Sequence, residues 1–131
     1  MKKIIISFLI VFFVFAFLSA QSGDLLYFCE KYDPELGEIN MGDRFYSGYL
    51  TVVVLLSAPI YYTKIIIQLD KYNPREAVFE YYDDYEFDTE PDMDYIYFDN
   101  VSFKEPGIYR VFMLDPTKNT ITSSLIEIIA E

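Results

Sequence analysis

Seven extended segments rich in β-branched and aromatic residues constrain the fold of this chain more than any other feature. Apolar and polar residues alternate with a period of two along them, which is typical of half-buried strands. Turns containing Gly, Pro, Asn or Asp separate the segments, and no helical periodicity follows the N-terminal segment. The predicted strands cover residues 25–32, 45–57, 60–72, 78–87, 95–103, 108–114 and 121–129.

This pattern predicts an all-β chain. Seven short strands with evenly spaced turns, within about 105 residues, are typical of an antiparallel β-sandwich. In the strand predicted over residues 45–57 both faces are apolar, as in a central strand. The strand predicted over residues 60–72 has one polar face and is expected to be half-buried. We therefore expect a single domain over residues 21–131, folded as a seven-stranded β-sandwich.

The stretch over residues 95–111 resembles the passage from strand E to strand F of immunoglobulin-like domains. Ile96 and Phe98 alternate inward, the strand ends near Asn100, Gly107 makes the corner, and Tyr109 stands two residues before the position that often holds a cysteine in that family. The resemblance implies an immunoglobulin-like sandwich in which the Tyr109 hydroxyl bonds back to the corner backbone. Both cysteines and the core tryptophan of antibody-type domains are missing, so a jelly-roll or another sandwich is the alternative.

Residues 1–20 have the three parts of a signal peptide. Lys2 and Lys3 are followed by an apolar run over residues 4–18, interrupted only by Ser7, and small residues close the segment at Ala20. We expect cleavage between Ala20 and Ser22, and export to the periplasm, cell surface or medium. A retained membrane anchor is the alternative, although the run is shorter than the roughly 20 residues that span a bilayer.

Charge and composition exclude several functions. The chain carries 21 acidic and 10 basic residues, a net charge of -11, and loss of residues 1–20 would make it -13. Such a surface repels nucleic acids and anionic lipids, so membrane contact is expected only through an uncleaved signal.

The chain has no histidine, which removes the usual catalytic triads and zinc sites. Cys29 is its only cysteine and is expected to be a small buried hydrophobe. We predict no enzymatic activity.

An acidic segment over residues 83–94 is the one candidate metal site. From Glu86 onward the acids occupy every second position, and in an extended chain such side chains point to one side. We interpret the segment as a solvated strand edge and loop whose charges discourage aggregation. The alternative is a calcium site, because calcium prefers six to eight oxygen ligands. The candidate ligands are Glu86, Asp88, Glu90, Asp92 and Asp94.

Tyrosines flank this acidic segment and suggest a binding surface. Tyrosine is rigid and amphipathic, which suits recognition of proteins or glycans, although it is also a common strand residue. The candidate binding residues are Tyr81, Tyr82, Tyr85, Tyr95 and Tyr97.

The sequence thus predicts an exported, non-catalytic module that binds a protein or glycan. A structural subunit of a cell-envelope assembly and a calcium-binding adhesion-type domain are the alternatives. No cofactor is expected, with a calcium ion as the one alternative, and the sequence leaves the oligomeric state open.

Overall fold

The computed structural model describes residues 23–131. The predicted signal peptide, residues 1–20, lies outside the described residues. The described part of the chain contains nine strands: β1 (Leu25–Asp33), β2 (Gly37–Gly42), β3 (Arg44–Tyr46), β4 (Gly48–Leu55), β5 (Lys64–Asn73), β6 (Val78–Asp88), β7 (Tyr95–Phe103), β8 (Gly107–Leu114) and β9 (Thr120–Ile129).

The nine strands form two sheets. One sheet has four strands in the order β2-β1-β4-β7, and the other has five in the order β3-β9-β8-β5-β6. Neighbouring strands are antiparallel except β3 and β9, which are parallel. The prediction of an all-β fold is confirmed, and two sheets sharing one core are consistent with a β-sandwich. The predicted number of seven strands is wrong, because two further strands are present.

Strand β2 was missed because the sequence around it has the composition of a loop. Gly37 and Gly42 bound it, and it contains few apolar residues. It forms because the chain reverses after β1: Asp33 Oδ1 accepts hydrogen bonds from the backbone N–H groups of Glu35 (2.8 Å) and Leu36 (3.1 Å). Gly37 follows with φ +83°, a conformation that favours glycine. An aspartate before a short turn that ends in glycine is a hairpin signal.

The strand predicted over residues 45–57 is two strands that belong to different sheets. Strand β3 lies in the five-stranded sheet and β4 in the four-stranded sheet. Ser47 lies between them, and β4 begins at Gly48 with φ +147°; this conformation, which favours glycine, lets the chain cross from one sheet to the other. Ser47 and Gly48 are flanked on both sides by strand-forming residues, and this two-residue interruption was included in one predicted strand.

The strand predicted to begin at Ile60 begins four residues later, at Lys64. Backbone N–H groups of Ile60 and Tyr61 donate instead to the carbonyl oxygens of Met93 (2.8 Å) and Pro91 (2.9 Å). The buried Ile60 side chain therefore belongs to a crossing segment between the sheets. Tyr61 has φ +65°, which ends the extended conformation before β5 begins.

The core lies between the two sheets and is built from the inward side chains of both. Alternate residues of β4 and β7 enter it from the four-stranded sheet, and alternate residues of β5, β8 and β9 enter from the other. Burial of this kind stabilises the fold by roughly 1.5–3 kcal/mol per large apolar side chain. Fully buried members include Phe28, Val52, Val54, Ile65, Ile67, Leu69, Phe103, Tyr109, Val111, Met113, Ile126 and Ile128.

Tyr109 is the largest of these buried side chains and connects three strands. Its ring packs edge-to-face against Tyr82 of β6 (centroids 5.2 Å apart) and Phe103 of β7 (5.3 Å). Its hydroxyl donates to the carbonyl oxygen of Glu105 at 2.6 Å, which is the bond to the corner backbone that the resemblance to immunoglobulin-like domains implies. Burial raises the pKa of the Tyr109 hydroxyl above its usual value, so it remains a donor at neutral pH.

We predict that Tyr109→Phe lowers the free energy of unfolding by about 1–2 kcal/mol, because it removes this donor and leaves the Glu105 carbonyl without it. Urea unfolding of the protein and the variant measures the change. Tyr61→Phe is the control, since Tyr61 is 73% exposed. Equal effects of the two substitutions would contradict a stabilising role for the Tyr109 hydroxyl.

Candidate functional site

The four-stranded sheet carries apolar side chains on both faces. Leu26, Val54 and Ile96 belong to the core, so the residues that alternate with them point away from it. Here the outer face means this side of the sheet. Side chains of β1, β4 and β7 form two rows there in direct register: Leu25, Leu55 and Tyr95, then Tyr27, Val53 and Tyr97.

The β1–β2 hairpin covers part of the outer face. Strand β1 pairs with β4 only as far as Cys29, whereas its pairing with β2 continues to Asp33. Beyond Cys29, Tyr32 stacks on Tyr97 of β7, with ring centroids 4.0 Å apart and planes at 16°. Because β4 lies between β1 and β7 in the sheet, the hairpin end must fold over the outer face. Val53 beneath it is fully buried although it lies outside the main core.

Glu38 fastens the hairpin to the far edge of the sheet. Its Oε1 accepts hydrogen bonds from the hydroxyl of Tyr27 at 2.8 Å and from the hydroxyl of Tyr95. The hydrogen bond from Tyr95, and to a smaller extent the one from Tyr27, holds the pKa of the Glu38 carboxyl below its usual range. Burial, together with the bond to Glu38, raises the pKa of Tyr27 to about 12. At neutral pH a carboxylate therefore holds two neutral tyrosines in place.

Four outer-face side chains remain partly accessible beside the hairpin. Leu25, Leu55, Tyr95 and Tyr97 each expose between 39% and 54% of their surface. They lie together because their positions are in register on three neighbouring strands. We call these four side chains the apolar face. The sequence analysis identified the two tyrosines of the apolar face but missed its two leucines and Glu38. The signal for Leu25 and Leu55 was present, because the strands carry apolar residues on both of their faces.

The five predicted binding tyrosines do not share one surface. Tyr95 and Tyr97 lie on β7 in the apolar face, whereas the other three lie on β6 in the second sheet. Tyr82 and Tyr85 are half-buried and pack against the core, and only Tyr81 of this group is largely exposed. Tyr82 and Tyr85 thus have packing roles, and binding by any of the five tyrosines stays a prediction.

Tyr85 joins the two sheets along one side of the sandwich. Its hydroxyl accepts from the backbone N–H of Ser102 (3.1 Å) and donates to the Ser102 carbonyl oxygen (3.4 Å). Ser102 is on β7 and Tyr85 is on β6, so these bonds connect an edge strand of each sheet. Burial raises the pKa of the Tyr85 hydroxyl.

The candidate calcium ligands do not follow one extended strand. Strand β6 ends at Asp88, and a turn closed by a hydrogen bond from the Met93 N–H to the Glu90 carbonyl oxygen (3.0 Å) follows. Pro91 lies at the position of this turn that favours proline, so the expected alternation to one side is wrong beyond Asp88. Within residues 23–131 no group of three or more His, Cys, Asp or Glu side chains is arranged to hold a metal ion.

Cys29 lies fully buried beneath the hairpin, as expected of a small apolar side chain. Its Sγ lies 3.3 Å from the Lys31 carbonyl oxygen, to which it donates. Burial raises the pKa of the thiol, which disfavours the reactive thiolate.

Comparison with known proteins places this chain in no family: no protein-family model matches it, and no curated protein matches its sequence. Within the described part, no helix is long and apolar enough to cross a membrane.

We predict that Tyr85→Phe destabilises the protein by about 1–2 kcal/mol, because the Ser102 backbone groups lose their partner. Urea unfolding measures the change, with the exposed Tyr46→Phe as control. If the Tyr85→Phe and Tyr46→Phe variants have equal free energies of unfolding, the Tyr85 hydroxyl does not stabilise the contact between the sheets.

We predict that Glu38→Gln destabilises the protein at pH 7 and that the difference shrinks in acid. The folded-state pKa of Glu38 is depressed, so its stabilisation is present above the unfolded value of about 4.3 and is lost as the pH falls through the folded-state pKa. The midpoints of urea unfolding of the protein and the Glu38→Gln variant, measured from pH 7 to pH 3, give the difference in stability at each pH. Glu35→Gln, in the same hairpin, is the control. A difference that is independent of pH would contradict the role of the carboxylate.

Proposed function

We propose that the sandwich is of the immunoglobulin-like type. Three observations support this. Strands β1, β4 and β7 are consecutive in one sheet and β9, β8, β5 and β6 in the other, an arrangement that resembles the immunoglobulin division of strands with an added edge strand beside the second sheet. The β5–β8 pair brings together strands from separate hairpins. The Tyr109 bond to Glu105 resembles the tyrosine corner of that superfamily.

We propose that the protein is an exported, non-catalytic module that binds another protein through the apolar face. The observation that carries this is the partial exposure of Leu25, Leu55, Tyr95 and Tyr97 in register on one sheet. Contiguous exposed apolar patches are typical of interaction sites, and tyrosine is enriched at protein interfaces. Export rests on the features of residues 1–20 alone.

The chemistry of the apolar face suits a protein better than a glycan. Leu25 and Leu55 offer aliphatic surface, which packs against apolar side chains and forms no hydrogen bonds with sugar hydroxyls. One ring face of Tyr97 is occupied by Tyr32, and the Tyr95 hydroxyl is engaged by Glu38. These two tyrosines therefore have less capacity for sugar stacking and sugar hydrogen bonds than free tyrosines would have.

The charge of the chain narrows the partner further. The described residues contain 21 acidic and 8 basic side chains, so long-range attraction favours a basic partner and disfavours another copy of this chain. We expect a partner whose apolar contact patch is bordered by lysine or arginine.

The test is a photo-activated cross-linking residue placed at position 55, which should form an adduct with one protein in the producing cell. That protein, identified by mass spectrometry and purified, should bind the Leu25→Asn/Leu55→Asn variant at least about tenfold more weakly, the effect of losing roughly 1.4 kcal/mol.

The matched control is Ile108→Asn/Leu125→Asn, which changes two similarly exposed apolar side chains on the other sheet. It should retain the affinity of the unmodified protein. Unchanged binding by Leu25→Asn/Leu55→Asn, or equal loss in the control, would reject the apolar face as the binding site.

A further inference from the structure

A groove of about 490 Å³ runs beside β7, on the side where the two sheets end. Strand β7 is the last strand of the four-stranded sheet and β6 is the last of the other. The groove is lined by the edge of β7 from Tyr95 to Asn100, by Met93, and by the end of β6 at Phe87 and Asp88. Six consecutive residues of β7, from Tyr95 to Asn100, line it, which suits an extended chain lying beside this strand.

The two ends of this β7 edge differ in their backbone hydrogen bonding. At the Ser102 end, the Tyr85 hydroxyl bonds both backbone groups and closes the edge. From Tyr95 to Phe98, β7 pairs with β4 on one side and with no described strand on the other. Every second residue of such an edge turns its N–H and C=O groups outward. This part of β7 can therefore pair with an added strand.

Side chains at the groove define what the added strand must carry. Phe87 and Phe98 pack together with centroids 4.8 Å apart, and the half-buried Phe87 offers apolar surface on the side facing the sandwich. Asp88 and Asp99 also line the groove, and no lysine or arginine does. Lys64, opposite Asp88 in the sheet, has its Nζ 3.1 Å from Glu86. The groove is thus apolar and negatively charged.

We propose that the Tyr95–Asp99 part of β7 accepts an extended segment of another protein, in which apolar residues alternate with lysine or arginine. Main-chain hydrogen bonds would add this segment to the four-stranded sheet. Its alternate side chains point to opposite sides of the sheet, so one set contacts Phe87 and Phe98. The other set carries the lysines or arginines and lies on the outer face with Asp99, whose Oδ1 accepts a hydrogen bond from Thr51 Oγ1 at 2.9 Å. Asp88, which alternates with Phe87 on β6, adds negative charge from the other sheet. A second copy of this chain does not fit, because like charges would face each other at the groove.

The probe is a synthetic peptide of about ten residues in which lysine alternates with valine, long enough to form one strand. It should bind the protein and slow the hydrogen exchange of backbone amides within residues 95–99. A peptide with N-methyl groups on alternate backbone amides should bind at least about tenfold more weakly, because it cannot complete the ladder. A peptide of the same composition with all lysines first should also bind more weakly. Equal binding of all three would show simple charge attraction and overturn the proposal, as would no binding.

Asp88→Lys and Glu76→Lys form a matched pair of variants, since both side chains are exposed and both changes alter the net charge equally. Asp88→Lys should bind the alternating peptide about fivefold or more weakly than Glu76→Lys does, because one electrostatic attraction to the peptide becomes a repulsion. Equal affinities for the two variants would overturn the proposal.

The groove shares Tyr95 and Tyr97 with the apolar face, but Leu25 and Leu55 do not line it. The Leu25→Asn/Leu55→Asn variant should therefore keep its affinity for the peptide even where it loses the protein partner. If that variant does not bind the peptide, the peptide binds at the apolar face, and the proposal of binding at the β7 edge is overturned.

Discussion

Packing around Tyr109 is the interaction on which the rest of the sandwich depends. The chain has one cysteine, so no disulfide within it can join the sheets, and buried side chains must do so. Tyr109 contacts Tyr82 of β6 and Phe103 of β7 and bonds the corner before its own strand. It thus fixes the corner between the sheets while filling the core with the largest buried ring. Tyr85 adds a second connection at the same side through Ser102.

The apolar face is a consequence of how the first hairpin is placed. A sheet with apolar residues on both sides must cover its second side or leave it exposed. Here the β1–β2 hairpin folds over one part, burying Val53 and Cys29, and Glu38 holds the hairpin to Tyr27 and Tyr95. The cover ends before the row of Leu25 and Leu55, so that row stays accessible. One carboxylate therefore sets the boundary between buried and exposed apolar surface.

The distribution of charge connects the apolar face with the open edge of β7. Exposed strand edges and apolar patches favour self-association of a protein. A large excess of carboxylates opposes contact between copies while leaving basic partners free to approach. The negative charge that opposes self-association would thus also favour basic partners.

The sequence alone determined the all-β class and most strand positions, because these depend on local alternation and on turn residues close in the chain. The burial of Cys29 follows from the usual behaviour of free cysteines, and the Tyr109 corner bond was expected from the resemblance of residues 95–111 to immunoglobulin-like domains. The sequence left β2 as a loop, because polar residues and glycines obscure a strand that exists by pairing with β1. It also merged β3 with β4, because only Ser47 and Gly48 interrupt the strand-forming residues where the chain changes sheets.

The grouping of site residues was decided only by the tertiary structure. Tyrosines near one another in sequence, on β6 and β7, separate into different sheets because residues 89–94 cross between them. Glu38 and Tyr95 are 57 positions apart, yet they meet because the hairpin folds over the sheet. Local periodicity records which way a side chain points from its own strand, but it contains no information about which strands become neighbours, and the neighbours decide what a surface can bind.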